Sequence, residues 1–337
     1  MKKVSLVTLI LLIALVMTSC GKDSKEVSSN GEKVFKIGIS QLSEHPSLLS
    51  LPQLVITSLD DTRKGFEDGL KELGVNAEID YRNAQGDIPT SSAIAQKFVK
   101  DKVDLIFAIA TPAAQSAKQA TSNIPILFSA VTDPVKSEIV DDMKNVGGNI
   151  TGTSDAAPIA SQLKMFKEID PDIKTIGILY NTSETNSEIQ IEEVKKLAPE
   201  AGLKVVTVGV TNVNELPQGI DSIVKKVDAL YLITDNTVAS SIELVSKSLI
   251  ENKMISVSSF AAAVDDGILA TNGLDYYELG KQTAEMAKKI LVDKEDLSSI
   301  PVGTADKTVI KVNKKTLKAL GLDLNLKVFK NAVIVDK

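Results

Sequence analysis

The sequence predicts an α/β protein of two Rossmann-like lobes with a ligand cleft between them, on three observations. From Val34 onward, short β-rich apolar runs alternate with amphipathic helical stretches, the pattern of parallel sheets covered by helices on both faces. The chain also repeats itself: "VDLIFAIATPAAQSA" from Val103 parallels "VDALYLITDNTVASS" from Val227, and "GVNAEIDYRNAQGD" parallels "GLKVVTVGVTNVNE". The offset of about 125 residues is far longer than a solenoid period and fits two similar lobes. Finally, "GGNITGTSD" at Gly147, "GILATNGLDYYELG" at Gly267 and the stretch 302–310 read as crossings between lobes.

In chain order, strands are expected at 35–40, 76–83, 104–110, 125–131 and 149–154, then at "TIGILYN", "LKVVTVGV", "ALYLIT", "MISVSS" and "GILATN". Helices are expected from Asp60 to a stop at Gly74, and at 90–101, 113–121, 160–169 and 188–201. These divide the chain into lobe 1 (34–153 plus 273–300) and lobe 2 (154–272 plus 301–337). One connection is anomalous. A strand-to-helix loop in an α/β unit takes about 2 to 6 residues, yet the stretch between the first strand and Asp60 is several times longer, rich in leucine, and carries His45, the only histidine.

The chain has 337 residues, enough for about two ordinary domains, and a net charge of -6. No basic stripe suited to a phosphate backbone is present, so nucleic acid is not an expected partner. Met1 to Cys20 combines two lysines, an apolar stretch from Val4 to Met17 and small residues before the only cysteine. The stretch is shorter than the roughly 20 residues of a spanning helix, and reads as a signal peptide (1–19) cut before an acylated Cys20. A plain signal with an incidental cysteine is the alternative. Residues 20–33 are small, polar and charged, as in a flexible tether. With no second cysteine, stability must come from the core.

The runs "SEHPSL", "NAQGD", "FAIATPAAQ", "AVTDPV", "GGNITGTSD", "LYNTSETNS", "TDNTVAS" and "GLDYYELG", in this order over 35–322, together resemble the ABC-transporter substrate-binding proteins of the tryptophan/tyrosine-binding type. The resemblance implies a type I periplasmic-binding-protein fold and a monomeric, lipid-anchored receptor on the outer face of the membrane. Such a receptor closes around a free aromatic amino acid (tyrosine, tryptophan or phenylalanine), without a cofactor, and delivers it to an ABC permease. Two departures stand out. Leu49 to Leu59 is an insertion of about 11 residues relative to the family, whose cleft-rim leucines either roof a ligand or pack on the lobe's own core. The loop "SSFAAAVDDG" is poorer in charge than the family pattern.

An amino acid needs an anion site and a cation site close together. Thr111, at a strand end before Pro112, is expected to offer its hydroxyl and the N–H groups of Ala113 and Ala114 to a carboxylate. A cap serving only its own helix is the simpler reading. Asp235 stands at the parallel position of the second lobe and is expected to pair with an ammonium group, beside Asn236, or else merely to cap its helix. Thr132, Asp133, Ser154, Asp155, Asn181, Ser259 and Phe260 fall at further strand ends, Asn83 in "NAQGD", and Ser43 and Ser47 in the long loop. Asp and Asn at such places also simply form turns.

Composition narrows the ligand. No tryptophan and few aromatics disfavour a stacked sugar. Arg63 and Arg82 are the only arginines, a poor set for strong anions. One histidine leaves metal capture to carboxylates. No G-x-S-x-G and no phosphate-cradling glycine loop appears, so no enzyme is expected. A surface adhesin, alone or in addition, is the second function class, exposed to contact with a host surface.

Overall fold

The computed structural model describes residues 33–43, 58–305 and 308–336. The expected signal and anchor at Cys20, the loop residues His45 and Ser47, and most of the 49–59 insertion lie outside them. Only its last two residues, Ser58 and Leu59, are described, and they open the first helix.

The chain alternates as β1 (Phe35–Gln41), α1 (Ser58–Glu72), β2 (Ala77–Asn83), α2 (Ile88–Asp101), β3 (Leu105–Ile109), α3 (Thr111–Ala120), β4 (Ile126–Val131) and β5 (Ile150–Ser154). The second series is α4 (Ile159–Ile169), β6 (Thr175–Asn181), α5 (Thr185–Leu197), β7 (Lys204–Val210), α6 (Leu216–Ile223), β8 (Ala229–Leu232), α7 (Asn236–Ala239), α8 (Ile242–Glu251), β9 (Ile255–Phe260), α9 (Ala262–Asp265) and β10 (Ala270–Leu274). It closes with α10 (Tyr276–Leu291), β11 (Gly303–Thr304), β12 (Thr308–Asn313), α11 (Lys314–Leu320) and β13 (Val333–Val335).

Two sheets result, ordered β11-β5-β4-β3-β1-β2 and β13-β12-β10-β9-β8-β6-β7. Matching β1 to β5 with β6 to β10 gives the same strand order in both, so the sequence repeat is a repeat of topology. Every pairing is parallel except β10 with β12. The chain passes between sheets after Ser154, after Leu274 and after Thr304, slightly later than the sequence boundaries at 153, 272 and 300. The reason is register: Ser154 still pairs with Val131 and Thr304, and Leu274 with Phe260 and Thr308.

Lobe 1 is held by two helices that leave almost no gap. α1 follows the long loop, whereas α10 returns from the second sheet, and they meet through glycines. A Cβ on Gly65 would lie 2.0 Å from the Tyr277 carbonyl oxygen, and one on Gly280 2.1 Å from that of Thr62. Under this pair Phe66 stacks on Phe107 of β3, with ring centroids 4.0 Å apart. One apolar core runs from this lobe into the α6 and α8 face of the second sheet. Another fills the opposite face of that sheet, where Phe166 meets Tyr231 edge-on.

Helix backbones in such contact cannot admit a methyl group without separating, and overpacking costs about 1–3 kcal/mol. Gly65→Ala and Gly280→Ala should each lower the melting temperature by about 5 °C. Gly74→Asn, at a left-handed position with open space around it, should be nearly neutral in the same thermal scan.

Candidate functional site

The carboxyl ends of parallel strands carry the binding residues of open α/β sheets, and here both sheets turn those ends toward one cleft. Two cavities occupy it. The larger, about 660 Å³, is lined by Leu42, Ser43, Asn83 and Asp87 from lobe 1 and by Asn181, Glu184, Asn236 and Thr237 from lobe 2. The smaller lies between Ser43, Ser58 and Leu59 on one side and Thr234, Asp235, Asn236, Ala239 and Phe260 on the other, with Tyr276 at the crossing.

In lobe 1 the turn from β3 into α3 is unusually sharp. Ala110 has φ 85° and ψ 155°, a region that is almost glycine-only and costs about 1–3 kcal/mol elsewhere. The helix therefore begins at Thr111 itself, which is not a cap. Its hydroxyl is buried and accepts or donates no hydrogen bond among the described residues. The Ala114 N–H is not free as the sequence suggested: the early helix start gives it the Ala110 carbonyl at 3.0 Å. The Ala113 N–H remains.

Asp155 follows β5 and is 1% exposed. Its Oδ2 accepts the Tyr276 hydroxyl at 2.6 Å, while Oδ1 has no partner among the described residues. Burial raises its pKa, and the Tyr276 and Thr132 hydroxyls offset this only in part. The Tyr276 phenol is pushed up in turn, first by burial and then by Asp155.

The neighbouring residues mostly hold the loops. Ser154 donates to the Thr132 carbonyl at 3.2 Å. Asp133 caps a turn through the Lys136 N–H at 3.0 Å and pairs with its ammonium at 3.3 Å, so it serves its own loop. Asn83 accepts from the Gln85 N–H at 2.7 Å on the wall of the larger cavity.

Lobe 2 presents a dense network around two buried carboxylates. Asp235 accepts from the Val238 N–H at 2.9 Å, the Asn181 N–H at 2.7 Å and the Ser187 hydroxyl at 2.7 Å. The helix-cap alternative for Asp235 is thus what the geometry holds, with a cross-tie to β6 added. Burial, then the charge of Glu184, raise its pKa. Glu184 is 3% exposed and accepts from Asn236 and Thr237, each through backbone and side chain, and from the Asn186 amide. Sequence reasoning missed Glu184, although it stands inside "LYNTSETNS"; a glutamate before a helix carries no local mark of such a role. Asn181 also donates its side-chain amide to Thr237 at 2.7 Å, and Ser259 exchanges a hydrogen bond with Thr234 at 3.0 Å. Phe260, buried, supplies apolar wall to the smaller cavity.

The described lining of both cavities includes Asp87, Glu184 and Asp235 and neither lysine nor arginine. Among the described residues no cluster of histidine, cysteine and carboxylate side chains could hold a metal ion. A further cavity, which shares Ser58 and Tyr276 with the smaller one, holds Asp61 of α1 beside Asp265, Asp275 and Lys311. Its pKa is raised to about 6, by burial first and then by Asp275, Asp60 and Asp265.

A sequence profile described as ABC transporter substrate binding protein matches residues 36–335. The chain is 42% identical over 327 residues to a tyrosine-binding protein of Clostridioides difficile, covering 95% of this chain and 92% of that one. An ABC domain from Streptococcus pneumonia, solved in complex with L-Trp, is 36% identical and superposes with a TM-score of 0.83 over 90% of this chain and 100% of that one. A ligand-free, open substrate-binding protein with adhesive properties from Clostridium difficile is 46% identical but superposes at only 0.66, over 90% and 99%. The fold is that of type I periplasmic binding proteins.

Two stability measurements follow. Asp235→Ala strands three buried donors at about 1–3 kcal/mol each, so the melting temperature should fall by about 10 °C, with or without ligand. For Asp61, a raised pKa in the folded chain means stability present below its unfolded value of 3.8 and lost as pH rises through about 6. Asp61→Asn should therefore raise the melting temperature at pH 7.5 and leave it nearly unchanged at pH 4.

Proposed function

This chain belongs to the family of ABC transporter substrate-binding proteins, and we propose that it captures a free aromatic amino acid and hands it to a membrane permease. Proteins of this family work outside the cytoplasm. In the same reading Cys20 carries the lipid that tethers the monomeric receptor to the membrane, with 20–33 as tether.

One observation carries the ligand assignment. Among the buried groups without partners at strand ends of the first sheet are the Thr111 hydroxyl, beside the Ala113 N–H, and Asp155 Oδ1, together with Ser40 Oγ and Gln41 Oε1 at the end of β1. A helix N-terminus with a free hydroxyl favours a carboxylate. A buried carboxylate oxygen with no cation favours an ammonium group. β3 and β5 flank β4, about 10 Å apart between axes, a span that the two side chains and an α-amino acid fill together. The ammonium role thus passes from Asp235, whose oxygens already take three donors, to Asp155. Leu59, Ala239 and Phe260 line the smaller cavity and offer an apolar wall to an aromatic side chain. The relatives that bind tyrosine and L-Trp support the aromatic class. A ligand touching both lobes favours the closed arrangement.

The relative with adhesive properties favours a second, added role, adhesion through the outer surface of the same receptor.

Calorimetry on the mature domain tests the clamp. Asp155→Asn, which keeps the volume and an acceptor for Tyr276, should weaken aromatic amino acids by at least about 100-fold, and Thr111→Val by about 10-fold. Wild-type affinity in Asp155→Asn would remove the ammonium assignment. Affinity should also fall as acid protonates Asp155. Cys20→Ser should release the protein from the membrane fraction; retention there would overturn the lipid anchor.

A further inference from the structure

The cleft treats the two ends of an amino acid unequally. Asp155, Glu184 and Asp235 are 1%, 3% and 1% exposed, and no lysine or arginine lines either cavity among the described residues. Lys136, in the turn after β4, is exposed and paired with Asp133. An entering ammonium group meets the lining carboxylates Asp87, Glu184 and Asp235, and beside the lining residue Tyr276 stands Asp155, whose Oδ1 has no partner among the described residues. An entering carboxylate meets neutral donors only, among them Ser43 and Ser240 of the lining and the Thr111 hydroxyl beside the Ala113 N–H at the start of α3, and the charged residues that line both cavities are of its own sign.

We propose that the same site binds arylalkylamines, molecules with the aromatic ring and ammonium group of the amino acid but no carboxylate. The inference rests on the clamp reading above, in which Asp155 takes the ammonium group. Removing the ligand carboxylate leaves Thr111 to a water molecule, a modest loss for a neutral hydroxyl. It also removes the repulsion from Glu184 and Asp235 and the need to desolvate an anion. Removing the ligand ammonium instead leaves Asp155 buried, charged and unpaired. The ligand class is therefore set by ring and amine, with the carboxylate a secondary determinant.

The probes are tyramine, tryptamine and phenylethylamine, each titrated calorimetrically beside its parent amino acid and beside the matching arylpropionic acid. The amines should bind within about tenfold of the amino acids, and the acids at least about 1000-fold more weakly. Thr111→Val supplies a readout that a general loss of folding would not give: it should weaken the amino acids and leave the amines unchanged, whereas Asp155→Asn should weaken both. Amines binding about 1000-fold more weakly than amino acids, or no better than the acids, would overturn the inference while leaving the amino-acid reading in place. Amines binding where amino acids do not would support the inference and overturn that reading. Binding of neither overturns both.

Discussion

The cleft depends on one electrostatic constraint: carboxylates held inside the protein without a basic partner. A buried anion is tolerated only when donors satisfy its oxygens, because the cost of leaving water is several kcal/mol per ion. Glu184 and Asp235 meet that condition with backbone and side-chain donors drawn from β6, α5, α7 and the loops between them. The consequence is a rigid wall, since each of these loops is fixed by the same oxygens. Asp155 does not meet the condition. Its Oδ2 receives the Tyr276 hydroxyl while its Oδ1 has no partner among the described residues, a deficit that Glu184 and Asp235 do not share.

The position of Asp155 follows from helix packing some distance away. Tyr276 is the first residue of α10, and α10 is set against α1 by backbone contacts that only glycine permits. Hydroxyls pin the same helix to the sheet: Ser129 meets Thr153 at 2.7 Å, Thr153 meets Thr283 at 2.8 Å, and Thr283 donates to the Leu279 carbonyl. Thr151 adds a bond to the Ile300 carbonyl at 2.9 Å. With α10 and β5 locked together, the Tyr276 to Asp155 hydrogen bond joins the chain just after its first crossing to the chain just after its second. In the proposed clamp, a ligand ammonium at Asp155 touches the connections between the two lobes directly.

Much of this was legible in the sequence, and the limits are physical. The alternation of runs gave the lobes, and the repeat of "VDLIFAIATPAAQSA" in "VDALYLITDNTVASS" gave their shared topology, because both signals are local. Choosing between Asp155 and Asp235 was not possible from the chain. Each is an aspartate after a strand, and only tertiary neighbours decide that one finds donors for both oxygens and the other leaves one oxygen open. Ala110 was equally silent: a left-handed turn is signalled by glycine, and an alanine held there by the Ser129 carbonyl at 3.0 Å leaves no trace in composition. That hidden strain moved the start of α3 and so changed which N–H groups are free.

The proposed clamp gives the unsatisfied groups a part in closure. One apolar core is continuous from lobe 1 into the α6 and α8 face of lobe 2, and apolar contact between the lobes favours the arrangement that makes it. Against this, closure removes water from Asp155 Oδ1 and from the Thr111 hydroxyl, and an unpaired buried polar group costs about 1–3 kcal/mol, more when charged. In an open cleft water serves both groups. In the proposed clamp, a ligand with an ammonium group removes this unfavourable term, and its differential affinity for the closed form is then the energy of satisfying Asp155, the quantity a receptor must supply to convert occupancy into a change of shape that a permease can read.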